Sequence, residues 1–144
     1  MHTFFNRRVM AACVASILLG ALGAGASQSD QDRPKLSLKA APRVGRAPLR
    51  VVLTAELTGG ADDYFEFYCP SVEWEWGDGT ESVATTDCEP YEAGKSAIKR
   101  RFTVEHTFKG GGNFTIAFRL KRQEKVLAGT TVQVQVQPGV RDIQ

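Results

Sequence analysis

Histidine is almost missing from this sequence of 144 residues, which holds His2 and His106 and no other. Triads of the Ser-His-Asp or Cys-His kind need such a base, so nucleophilic catalysis would have to rest on His106 once the extreme N-terminus is set aside. Cysteine is equally sparse, at Cys13, Cys69 and Cys88, and no Cys/His spacing supports a zinc centre. No glycine-rich loop follows a strand pattern and opens a helix, so nucleotide binding has no support. Apolar residues recur with period two rather than 3.6, and no stretch supports a long amphipathic helix. From Val51 to Gly94 there is neither Lys nor Arg, while eleven carboxylates run from Glu56 to Glu92.

What is present begins with an export signal. Arg7 and Arg8 close a short basic region, Val9–Leu22 is an uncharged apolar run, and Ala24-Gly25-Ala26 has the small-x-small pattern read by signal peptidase. We therefore expect residues 1–26 to be a signal peptide cleaved after Ala26. Met10–Cys13 resembles a lipoprotein box, but too few apolar residues precede Cys13. The residues after Arg7-Arg8 fit twin-arginine export poorly. Loss of Arg7 and Arg8 leaves 16 basic and 16 acidic residues, so the formal charge carries no message about nucleic acid, and no membrane span is expected after processing. The two remaining cysteines, Cys69 and Cys88, read as a disulfide, because the exported compartment is oxidising.

The expected mature chain is a flexible leader over 27–33, one domain over 34–138 and a tail over 139–144. Leu36 and Leu38 alternate in a short first strand. Val44–Pro48 reads as a turn, and Leu49, Val51, Leu53, Ala55 and Leu57 share one face of the next strand. Val72, Trp74 and Trp76 point inward before the tight turn Gly77-Asp78-Gly79, and Glu81–Thr86 returns as a short strand. Ile98, Arg100, Phe102, Val104 and His106 form one further row. Phe114, Ile116, Phe118 and Leu120 form another, and Val126, Ala128, Thr130, Val132, Val134 and Val136 the last. Short strands with turns between them argue an all-β sandwich of about seven strands.

Four ordered segments then resemble a known family. Gly45-Arg46-Ala47-Pro48-Leu49, Trp74-Glu75-Trp76-Gly77-Asp78-Gly79, His106-Thr107-Phe108 and Gly112-Asn113-Phe114-Thr115-Ile116 are similar to the signature of PKD (polycystic kidney disease) domains. The resemblance implies an immunoglobulin-like sandwich in which Trp74, Trp76, Gly77, Asp78, Gly79, His106 and Gly112 are structural. It also implies a non-catalytic exported module, periplasmic or secreted. Such a module contacts another envelope or extracellular protein or a polysaccharide, or serves as a structural subunit of an envelope assembly. The departure from the family pattern lies between Gly59 and Cys88.

That departure holds Tyr64, Phe65, Phe67 and Tyr68, four aromatics fenced by acids. Either the two phenylalanines bury and the tyrosines show, or the reverse. The segment is then an additional strand stapled by Cys69 and Cys88, or a recognition patch. Calcium is the one cofactor with any support. Asp62, Asp63 and Asp78, with Glu66, Asp87 and Glu89, offer hard oxygen ligands, but without EF-hand spacing, and a solvated acidic loop is the competing reading. We expect no other cofactor and no catalysis.

Overall fold

The computed structural model describes residues 29–140, which lie in eight strands and two short 3-10 turns. The strands are β1 (Lys35–Ala41), β2 (Val44–Arg46), β3 (Leu49–Thr58), β4 (Ser71–Glu75), β5 (Glu81–Ala84), β6 (Arg101–Phe108), β7 (Gly112–Arg122) and β8 (Lys125–Gln137). They form two sheets, one ordered β1-β3-β6 and one ordered β2-β8-β7-β4-β5. All pairings are antiparallel except that of β2 with β8.

Alternation is the cause of the layering, since successive side chains of a strand point to opposite faces. Val51, Leu53, Ala55 and Leu57 of β3 are buried, as are Ile116, Phe118 and Leu120 of β7 and Val134 and Val136 of β8. They meet Trp74 and Phe102 in one core between the sheets. Each fully buried aliphatic or aromatic side chain there contributes about 1.5–3 kcal/mol. The expected all-β sandwich stands.

Four local expectations are corrected. The turn read at Val44–Pro48 contains β2, whose register is Val44↔Gln135; three residues are too few to show alternation, and the partner strand is remote in sequence. Val126 is 50% exposed while Leu127 is buried. A register shift at Leu120/Lys121 inserts one extra residue and flips the faces before Ala128. Arg100 precedes β6 rather than joining its inward row, and its guanidinium folds onto Asp62 at 2.7 Å and the Gly59 carbonyl at 2.9 Å. Tyr64–Tyr68 forms a 3-10 turn over Phe65–Phe67, not a strand.

Part of the expected leader carries fixed contacts. Asp30–Asp32 makes a 3-10 turn, Asp32 accepts from the Ala61 amide through its carbonyl, and Arg33 pairs with Glu66 at 2.9 Å. The expected signal peptide over residues 1–26 lies outside the described residues.

Candidate functional site

The Trp-x-Trp-Gly-Asp-Gly segment builds a ladder of rings. Trp74 and Trp76 stack with centroids 5.7 Å apart, and Trp76 stacks on His106 at 4.2 Å, both pairs nearly parallel. His106 Nε2 meets Asp78 Oδ2 at 2.8 Å. Asp78 Oδ1 accepts from the Thr80 amide at 3.0 Å, an Asx-type contact that shapes the turn. Burial pushes the Asp78 carboxyl up, but the hydrogen bonds from Thr80 and His106 outweigh it and hold the carboxyl below its usual range. Gly77 sits at φ +76, and a Cβ there would lie 2.6 Å from the Thr115 carbonyl oxygen; glycine alone satisfies both demands. His106 is thus committed to the ladder and to Asp78, and the cysteines to each other.

Cys69 and Cys88 are bonded, with Cα atoms 6.1 Å apart. The bond ties the residues before β4 to the loop that follows β5. Around it the aromatics divide at a spacing of three. Tyr64 and Phe67 are buried and meet edge to face at 5.1 Å, with the Arg33 guanidinium 5.0 Å from the Phe67 ring. Phe65 is 49% exposed and lies between Tyr91, at 5.0 Å, and the Arg122 guanidinium, at 4.9 Å. Tyr68 is half-buried, packs on Tyr91 at 5.4 Å and donates from its hydroxyl to the Glu89 carbonyl at 2.8 Å. Neither sequence alternative is therefore met: one tyrosine and one phenylalanine bury, because a tight turn brings residues i and i+3 to one side.

Beside this cluster runs a groove of about 360 Å³ between β4–β5 of one sheet and β6 of the other. Val72, Trp74, Phe102 and Val104 line it, as do Tyr68 and the two disulfide cysteines. Lys99 lies on its rim with the ammonium 5.1 Å from the Phe102 ring. The groove exists because β5 has four residues and the chain from 85 to 100 passes from one sheet to the other without forming a strand. Sequence reasoning missed Tyr91, Val83 and Val104 as site residues. Tyr91 stands alone among polar neighbours, and the groove arises from a strand's shortness, which no side chain signals.

The candidate calcium residues do not converge. Asp62 is held by Arg100, Asp63 accepts from the Gly94 amide at 2.8 Å, and Asp78 is bound to His106 and Thr80. Among the described residues no group of three or more His, Cys, Asp or Glu side chains is placed to hold a metal. The segregated charge resolves into pairing across the fold: Arg119 and Lys121 of β7 both hold Glu73 of β4, at 2.9 and 2.8 Å, Arg101 pairs with Glu56, and Arg50 with Glu105.

No family model matches the chain, and no curated protein matches it. Among solved structures it is similar to the PKD domain of an M14-like peptidase from Thermoplasmatales archaeon SCGC AB-540-F20, at 17% identity and a TM-score of 0.50, over 76% of this chain and 99% of that one. It is also similar to the CARDB domain of a Pyrococcus furiosus protein solved in complex with di-metal ions, at 13% identity and a TM-score of 0.43, over 77% of this chain and 95% of that one. The ordered motif segments, the two-sheet topology and the first of these likenesses agree: this chain has a PKD-like immunoglobulin fold.

Proposed function

We propose that the protein is an exported, non-catalytic binding module that takes apolar side chains of a partner protein into the groove between β5 and β6. The observation that carries this reading is the groove itself, a cleft lined mostly by apolar side chains beside an aromatic cluster of which Phe65 is 49% exposed. Concave, mostly apolar clefts with few polar groups are where binding sites form. Its lining favours a protein over a glycan, because Ser82, Thr86, Thr103 and Lys99 are the few polar groups along it and sugars need many more. Tyr68 lines the groove, and Tyr91 and Phe65 packed beside it extend the contact surface.

Export is part of the proposal. It rests on the signal-like residues 1–26 and on the disulfide, which persists in oxidising compartments. Among the described residues no helix is long and apolar enough to cross a membrane. The domain is taken to span 34–138.

The test is a methyl-resolved NMR titration with a panel of extended Val/Ile/Leu-rich peptides and, separately, soluble polysaccharides. Peptide-induced shifts clustered on Val72 and Val104, and lost in Tyr68→Ala/Lys99→Glu, support the reading. Shifts produced only by the polysaccharides, or lying on the opposite face, refute it.

A further inference from the structure

The five-stranded sheet ends on β2 at one side and β5 at the other. Among the described residues no strand pairs with the outer edge of either. The hydrogen-bonding phase of each edge follows from flanking bonds. The Gln135 amide donates to the Arg43 carbonyl, and the Ala47 amide to that of Gln137. Residues 43, 45 and 47 therefore turn toward β8, and the amides and carbonyls of Val44 and Arg46 face away. At the opposite side the Trp76 amide donates to the Thr80 carbonyl. Residues 80, 82 and 84 turn toward β4, and Glu81 and Val83 face away.

Direction and side-chain face agree as well. β2 runs parallel to β8, β8 antiparallel to β7, β7 to β4, and β4 to β5. A second copy carried along the sheet in the same orientation thus brings its β2 antiparallel to β5. Val44 and Arg46 stand opposite the exposed Gln135 and Gln137. Val83 and Glu81 stand opposite Glu73 and Glu75, the residues whose carboxylates meet Arg119 on the outer face. Directly opposed residues share a face, so all four side chains lie on the outer surface of the sheet.

One antiparallel register satisfies everything at once. With Val44 opposite Val83, Arg46 falls opposite Glu81, and both pairs are of the hydrogen-bonded kind. Val44 and Val83 are 57% and 60% exposed, and among the described residues Glu81 has no ion-pair partner. Arg43 and Arg46 reach only backbone carbonyls, each at 3.4 Å. A shift by two residues either way sets a valine opposite a charge or beyond the strand.

We propose that copies of this chain join head to tail, β2 of one adding to β5 of the next in that register. The contact is heterologous, so it adds copies head to tail, as a ring where the rotation closes and a filament where it does not, and its shortness makes it weak and dependent on concentration. It rests on backbone pairing and outer-face side chains at the free edge of β5 rather than on the groove's inner lining, although Val83 borders both.

The test is sedimentation velocity of the purified protein over a concentration series at low and high salt. The wild-type chain is expected to gain mass with concentration, less so at high salt. Glu81→Arg and Arg46→Glu, both at exposed positions, each weaken association at least about tenfold, since a favourable cross-strand pair becomes a like-charge one. Mixing the two variants restores it, a result that a folding defect does not produce. A wild-type monomer at every concentration overturns the proposal, as does association that neither swap changes or that mixing does not restore.

Discussion

Asp78 carries two duties at one carboxylate, since it closes the turn through Thr80 and fixes the ring of His106. Replacing it by Ala leaves the Thr80 amide and the imidazole without that acceptor, and urea unfolding should show a loss of about 1–3 kcal/mol. Its depressed pKa sets the sign of a pH effect. The folded protein holds this proton less tightly than the unfolded chain, so the stabilisation is complete above the ordinary carboxylate range and is lost as pH falls through the folded value. Glu73 acts in the same direction, lowered by hydrogen bonds from Lys121 and then Arg119. Stability should therefore decline below about pH 4, and the decline should be shallower in Asp78→Asn, as acid titrations followed by tryptophan emission would report. A wild-type profile flat to pH 2 would contradict this.

At the scale of elements, two features make opposite demands on neighbouring residues. The register shift in β7–β8 leaves Val126 in solvent and Leu127 in the core. Leu127→Ala should cost about 2–4 kcal/mol, whereas Val126→Ala should stay within about 0.5 kcal/mol; equal effects would place the bulge elsewhere. The disulfide joins residues 19 apart, and the Cys69→Ser/Cys88→Ser pair should lower stability by roughly 3 kcal/mol, read as a fall in the denaturation midpoint. How much of this was legible follows from the kind of signal each element leaves. β3, β4 and β7 alternate over enough residues to be read directly. Val126 misled because a bulge changes phase without changing composition. β2 was hidden because parallel pairing with a remote strand leaves no local pattern. The Phe65–Phe67 turn was hidden because four aromatics within five residues fit a strand and a tight turn equally well.

Across the whole molecule, charge and apolar surface play separate parts. The acidic middle of the chain meets basic residues outside it, Arg119 and Lys121 across strands at the largely buried Glu73 and Arg100 at the exposed Asp62, and the exposed pairs add little to stability. Little of the segregated charge is left for long-range steering. The apolar residues left in view are more telling. Val83 borders both the groove and the open edge of β5, and Phe65 tops the aromatic cluster. The groove was not legible in the sequence at all, because it is a gap left between two correctly read strands. Trp74 lines it and Trp76, the next ring of the ladder, does not, which supplies a built-in reporter. Tryptophan emission during titration with extended Val/Ile/Leu-rich peptides tests the account most directly. The account predicts a saturable change that survives Trp76→Phe and disappears in Trp74→Phe; a change that persists without Trp74, or none with any peptide, would contradict it.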